Sequence, residues 1–350
     1  MNACIGAQLE DVHFAYGGEA ILRGVSFTAP AGKCTVLFGP TGAGKTTCLR
    51  LLAGLERPDT GTIRIGAEEV ASSQRCTLPR ARGVGLCFQE NALWPSVSAR
   101  DHLRVVLADL PLSRQEREAR VEELLALYHL ESLARRYPHQ LSGGEKKRLE
   151  MARAVARRPR LLLLDEPLAS QEIPLREELA RTIGLCLCEG GTVIAVTHER
   201  EEMYAMAEYL VLLGEGQALR CGTPREVFHD PRSAQAARLL GLHNLFPVTL
   251  ENGRLRSSLG DVEGGWNVQG AWMAACRNEE IEVEACGGCG ASAISCHAHA
   301  RHYVVRFELE GRTLTGVAQQ PVVPGQALAA RLTERPILVE KIEETGSRGR

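Results

Sequence analysis

Residues 39–46 read GPTGAGKT, a G-x-x-x-x-G-K-[ST] run that stands between the apolar segment CTVLF and the segment TTCLRLLAG. The flanks are what such a run requires, a strand that ends in it and a helix that starts from it. Gly39, Gly42 and Gly44 let the backbone wrap a phosphate closely with N–H groups aimed inward, and the helix N-terminus adds a positive dipole. The segment from Gly39 through Pro40, Thr41, Ala43 and Lys45 to Thr46 and Thr47 therefore reads as a nucleotide cradle. Lys45 is expected to reach the β- and γ-phosphates, and the Thr46 hydroxyl to hold Mg²⁺. A strand, a cradle and a helix in succession also commit the chain to α/β architecture.

The rest of the first 240 residues agrees. The near-continuous apolar runs RLLLLDE (160–166) and TVIAVTH (192–198) have the pattern of parallel strands buried on both faces, and GVGLCFQ (83–89) is a further strand candidate. Between about 90 and 158 the sequence turns helical, with SARDHLRVVLADL and a charged amphipathic stretch from Ser113 to Tyr128, which predicts a helical subdomain inserted on the sheet core. From GLHNLFP at 241–247 onward the runs shorten and alternate, as in HYVVRFELEG and RTLTGVA, between glycine-rich turns. The predicted domains are 1–240 and 241–350, the second an antiparallel β domain. With 41 basic and 43 acidic side chains, no global field draws the chain onto nucleic acid or an anionic membrane. No apolar run approaches the roughly 20 residues of a membrane helix, and the N-terminus lacks the regions of a signal peptide, so a soluble cytosolic chain is expected.

The strand LLLL delivers Asp165 and Glu166 to the sheet edge that faces the ligand crevice. Asp165 is expected to coordinate Mg²⁺ through water and Glu166 to polarise the attacking water. An acidic pair capping the next segment is the alternative. LSGGE at 141–145 then offers Ser142, Gly143 and Gly144 as a second anion nest at the start of a helix. One nucleotide needs only one cradle. The second, with KKRLEMARAVARRP after it, resembles the ABC ATPase family, whose signature is LSGGQ. The resemblance implies a P-loop NTPase core of the ABC type and Mg²⁺-dependent hydrolysis of ATP. It also implies a homodimer in which Ser142 of one subunit closes over the ATP held by Lys45 of the other.

Further roles follow from the same resemblance. Tyr16 matches the aromatic that stacks on adenine, Gln89 the glutamine that contacts Mg²⁺ beside the surface gripping a permease, and His198 the histidine that contacts the γ-phosphate and braces Glu166. Read alone, these are a core tyrosine, an exposed strand-end glutamine and a solvated histidine. QENALWPSVSARDHL, RCGTPREVFHDPRSAQAARLLGLHN and WMAACRNEEIEV are similar to segments of importer ATPases that carry a C-terminal regulatory β-barrel of the TOBE or OB-like kind. The resemblance implies a peripheral subunit at the cytoplasmic face of the inner membrane. Its partners would be integral-membrane permease subunits and, through them, an extracytoplasmic solute-binding protein, with no nucleic acid. Ferric iron or polyamine are the candidate solutes. An exporter motor, or a soluble ABC ATPase of nucleic-acid repair or translation, is the alternative reading.

Two departures stand out. Glu172 occupies the place of an aspartate that crosses the dimer interface in the family, and RNEE replaces RPED in the C-terminal landmark. In CGGCGASAISCHAHARH (286–302), Cys286, Cys289, Cys296 and His297 supply soft ligands in the number a tetrahedral Zn²⁺ accepts. A redox sensor and an inert glycine-rich loop are the other readings of that tract.

Overall fold

The computed structural model describes residues 5–88, 92–167, 173–263, 266, 268–285, 290–299 and 302–341. The chain divides into two compact units, Met1–Pro224 and Arg225–Arg350. In chain order the first unit begins β1 (Ala7–Tyr16), β2 (Glu19–Ala29), β3 (Cys34–Phe38), α1 (Lys45–Ala53), β4 (Thr60–Ile65), β5 (Glu68–Ser72) and β6 (Val84–Cys87). It continues with α2 (Ala99–Leu107), α3 (Arg114–Leu127), α4 (Gly143–Val155), β7 (Leu161–Asp165), α5 (Ile173–Cys188) and β8 (Thr192–Thr197). It ends with α6 (Arg200–Met206), β9 (Tyr209–Gly214) and β10 (Gln217–Gly222).

Two sheets organise this unit. Strands β1, β2, β4 and β5 form an antiparallel sheet in the order β2-β1-β4-β5, and the others a six-stranded sheet in the order β10-β9-β3-β8-β7-β6. All neighbours in the larger sheet are parallel except β10 on β9. Every residue of β3, β7 and β8 is buried, as the unbroken apolar runs require of strands covered on both faces. One core joins the two sheets through α1: Leu49 and Leu52 pack with Leu9 and Val25 from β1 and β2 and with Leu163 and Ile194 from β7 and β8. The parallel strands all deliver their C-terminal ends to one edge, and α1 starts there.

The helices of the 90–158 region start where local chemistry dictates. Ser98 caps α2 by accepting from the Asp101 N–H, and Ser113 with Glu116 forms a reciprocal capping box on α3. The C-terminal carbonyls of α1 take an unexpected partner, the buried Arg82 guanidinium, which donates to Leu51 O at 2.7 Å and Leu52 O at 2.8 Å.

Helix α7 (Pro224–His229) starts on the last residue of the first unit, α8 (Ala234–Leu239) follows in the second unit, and Ala237 of α8 packs against Leu242, Ala275 and Val339. The unit therefore begins ahead of residue 241. Its strands are β11 (Asn244–Glu251), β12 (Arg254–Arg256), β13 (Val262–Glu263), β14 (Gly270–Cys276), β15 (Ile281–Ala285) and β16 (Ala291–His299). They continue with β17 (His302–Leu309), β18 (Arg312–Ala318), β19 (Ala327–Leu332) and β20 (Ile337–Lys341). Strands β13-β12-β11-β14-β20 make a five-stranded sheet, and β15-β18-β17-β16-β19 close into a barrel. The barrel is not wholly antiparallel, because β15 meets β18 in parallel with Glu282 opposite Val317. Parity requires this, since five strands in a ring cannot alternate direction throughout. Among the described residues no helix is long and apolar enough to cross a membrane.

Candidate functional site

The loop between β3 and α1 has the geometry its glycines require. Gly44 caps α1 with φ of +91°, and a Cβ there would meet Leu22 Cδ2 at 2.4 Å. A Cβ on Gly39 would meet Leu213 O at 2.2 Å. Both positions exclude a side chain, the first by conformation and crowding and the second by crowding alone. Pro40, Thr41 and Gly42 are exposed, Ala43 is buried with its N–H on Pro40 O at 3.2 Å, and Thr47 is buried. The N–H groups of Lys45 and Thr46 open the helix and have no acceptor within it.

Lys45 is only 6% exposed and donates from Nζ to Gly39 O at 2.8 Å and Pro40 O at 2.9 Å. Its ammonium thus lies inside the loop. Burial lowers its pKa, against the upward pull of Glu166 and Asp165. Thr46 donates from Oγ1 to Oδ1 of Asp165, the last residue of β7, at 3.0 Å. Asp165 is 4% exposed, and burial raises its carboxyl above the ordinary value in spite of that hydrogen bond. A buried carboxylate beside a hydroxyl, with the lysine drawn off to the loop carbonyls, is a hard-oxygen pair short of positive charge. It suits Mg²⁺.

Glu166 follows Asp165 in the left-handed region at φ of +43°, which for a non-glycine residue costs roughly 1–3 kcal/mol. Its N–H bonds Val196 O at 3.0 Å, and its Oε1 lies 2.9 Å from Nδ1 of His198. The β7 to β8 pairing makes this possible, since Asp165 stands opposite Val196 and both strands release their next residues at the same edge. A proton on His198 Nδ1 is donated to the carboxylate, while Nε2 lies 3.4 Å from Glu199 Oε1. Lys45, Thr46, Asp165, Glu166 and His198 are therefore gathered at one edge by three parallel strands.

Other expected residues lie apart. Tyr16 is 43% exposed, so it is not a core tyrosine, and its hydroxyl donates to Glu56 Oε1 at 3.0 Å, beyond the C-terminal end of α1. Ser142 caps α4: its Oγ accepts from Glu145 N at 3.3 Å, and its own N–H donates to Glu145 Oε2 at 2.7 Å. These bonds occupy two of the nest's donors and leave Gly143 and Gly144 in the first helical turn. They also hold the Glu145 carboxyl below its ordinary range, mainly through the backbone hydrogen bond. Gln89 and Glu172 lie outside the described residues.

Cys286 and Cys289 also lie outside the described residues. Cys296 and His297 are consecutive on β16, so their side chains leave opposite faces of the strand. Cys296 packs against the barrel core and accepts from Val322 N at 3.4 Å, whereas His297 is exposed. The strand does not bring these two ligands together. Among the described residues, no group of three or more His, Cys, Asp or Glu side chains is placed to hold a metal ion.

Sequence reading missed a buried pair on α4. Lys147 donates to Phe88 O at 2.7 Å and to Glu150 Oε2 at 3.1 Å. Glu150 Oε1 accepts from Phe88 N at 3.2 Å and Ala92 N at 3.5 Å. The helix that Ser142 starts therefore holds both ends of the segment containing Gln89. Two charged residues three apart, within a helix that otherwise turns apolar inward, were the available signal.

Comparison with known proteins gives the same picture. The family profile described as ABC transporter matches residues 22–169. An Fe(3+) ions import ATP-binding protein, FbpC of Pseudomonas fluorescens Pf-5, is 36% identical over 83% of this chain and 81% of its own length. A sulfate/thiosulfate import ATP-binding protein, CysA 2 of Rhizobium meliloti, is 34% identical over 82% and 80%. The spermidine/putrescine import ATP-binding protein PotA of Marinobacter nauticus is 39% identical over 70% and 64%. Among solved structures, the dimeric bacterial ABC transporter cassette MJ0796 aligns with a TM-score of 0.56 at 27% identity, covering 62% of this chain and 98% of that one. Kinship over four fifths of the chain's length, and a parallel sheet that carries Thr46, Asp165 and Glu166 to one edge, lead to one conclusion: the chain belongs to the ATP-binding subunits of ABC transporters.

Proposed function

We propose that this ABC ATPase drives a solute importer, working as a homodimer docked on membrane permease subunits at the cytoplasmic face of the inner membrane. The observation that carries the reading is the convergence of two pairs, Thr46 with Asp165 at 3.0 Å and Glu166 with His198 at 2.9 Å. In this reading the loop from Gly39 to Thr47 binds the phosphates, Lys45 leaves its carbonyl partners for the β- and γ-oxygens, and Tyr16 offers its exposed ring to adenine. Thr46, Asp165 and Gln89 would hold Mg²⁺, which when bound neutralises charge developing on the transferred phosphoryl group. Glu166 accepts a proton from the attacking water, and His198 fixes the direction of that carboxylate. Ser142, Gly143 and Gly144 of a second copy complete the site from outside.

The named relatives import ferric iron, spermidine or putrescine, and sulfate or thiosulfate, and they support import as the direction. Ferric iron or polyamine is the proposed cargo, delivered by an extracytoplasmic binding protein that this subunit never touches. The test is ATPase activity of the complete transporter in vesicles, with its binding protein loaded with each solute in turn. Stimulation by ferric iron or a polyamine is expected. Stimulation by another solute would reassign the cargo, and transport in the outward direction would overturn the import reading.

A further inference from the structure

Helix α5 carries a second pattern that ATP hydrolysis does not use. Leu179, Ile183, Gly184 and Leu187 recur at the three- and four-residue steps of one helix face, and Ala205 and Met206 face them from α6. Between these residues lies a cleft of about 320 Å³, within the size range of small-molecule sites. Gly184 is the informative member. It sits in the interior of a 16-residue helix, where glycine costs about 1 kcal/mol relative to alanine, and a Cβ there would meet nothing within 4 Å. No close packing explains the missing side chain, and its absence leaves the cleft open.

The polar members have a sign. Among the described residues, Glu201, Glu202 and Glu208 line the cleft against one guanidinium, Arg176, which lies 3.8 Å from Glu201. Glu208 Oε2 is fixed by the Cys34 N–H at 2.9 Å, and Glu202 Oε2 accepts from the Thr197 hydroxyl at 2.6 Å. Both carboxylates thus accept hydrogen bonds from neutral donors, and Arg176 and His198 act on Glu202 only through space. Burial pushes the Glu202 carboxyl above its ordinary value.

We propose that the cleft between α5 and α6 is a binding site for a small hydrophobic amine, its apolar body against Leu179, Ile183 and Gly184 and its ammonium toward Glu202 and Glu208. An apolar wall with an acidic rim favours such a cation over a neutral or anionic molecule of the same shape.

The test is calorimetric titration of the full chain with 2-phenylethylamine, 2-phenylethanol and phenylacetate, repeated on Gly184→Leu. That variant fills the cleft and removes a helix-interior glycine, so the helix is not weakened, and an unchanged unfolding midpoint confirms that it folds. Expected is saturable binding of the amine, at least tenfold weaker binding of the alcohol and the acid, and loss of amine binding in Gly184→Leu. The proposal is overturned by phenylacetate binding as tightly as the amine, or by undiminished amine binding in Gly184→Leu. Failure of all three probes to bind, as when a second copy or part of this chain covers the cleft, also overturns it.

Discussion

His198 Nδ1 lies 2.9 Å from Glu166 Oε1, and the two residues leave neighbouring parallel strands at the same edge. Glu166 reaches this position from a left-handed backbone conformation, held by its N–H on Val196 O. Strain stored at one residue of a site and retained by a strand-to-strand hydrogen bond points to a carboxylate whose direction matters.

Glu166→Gln keeps the shape and removes the proton acceptor. Turnover is expected to fall roughly 10²- to 10⁴-fold with ATP affinity little changed. His198→Ala leaves the carboxylate but frees it to rotate, so its loss of kcat is smaller. Single-turnover hydrolysis alongside nucleotide titration separates the two effects.

Asp165 carries a cost in the nucleotide-free protein. Its carboxyl is raised by burial, so folding takes up a proton between the ordinary carboxylate value and the folded one, and stability falls as pH rises through that window. At neutral pH the charge is a net loss. Asp165→Asn keeps an acceptor for Thr46, abolishes hydrolysis and is expected to stabilise the free protein by about 1 kcal/mol, or about 2–4 °C in the unfolding midpoint. The gain disappears below about pH 4, where wild-type Asp165 is also neutral. Calorimetric scans of both proteins at neutral and acid pH check the sign.

Glu145 places a carboxylate at the nest formed with Ser142, where the LSGGQ signature it resembles has an amide, and next to the proposed position of a partner's ATP phosphates. Glu145→Gln removes about 1 kcal/mol of like-charge repulsion and lowers the ATP concentration for half-maximal hydrolysis roughly fivefold. The free subunit moves the other way. It loses a favourable charge at the start of α4, worth about 0.3–1 kcal/mol. Kinetics and thermal unfolding of one variant therefore shift in opposite directions.

Glu150→Ala leaves the Lys147 ammonium buried without its carboxylate and strips the acceptor from Phe88 N and Ala92 N. Breaking a buried pair in this way costs about 3–5 kcal/mol. Replacing both partners, as Lys147→Met with Glu150→Leu, is expected to recover much of that loss. Thermal unfolding of the three proteins measures it.

The legible parts of this chain were those where local pattern and chemistry coincide. GPTGAGKT could only be a loop between β3 and α1, and LLLL could only be a buried strand delivering Asp165 and Glu166 to its end. Arg82 was not legible, because its acceptors lie far back along the chain at Leu51 and Leu52. Of Lys147 and Glu150 only the three-residue spacing on α4 was visible, because their further partners lie at Phe88 and Ala92. Alternation marked the C-terminal strands without their pairing, so the separate five-stranded sheet and the parallel closure at Glu282 emerged only in three dimensions. Metal ligation was one of three readings of the Cys/His tract, and the pleat of β16, which sends Cys296 and His297 to opposite faces, could not be seen in the residue types alone.

In the proposed dimer the cradle at 39–46 is half of a site completed by Ser142 of a second copy. Sedimentation of Glu166→Gln with and without ATP tests it most directly, with Ser142→Arg added in a second protein to block the nest. A dimer is expected only with ATP, and a monomer that still binds ATP once Ser142→Arg is present. A monomer of Glu166→Gln at saturating ATP, or a dimer indifferent to Ser142→Arg, would contradict it.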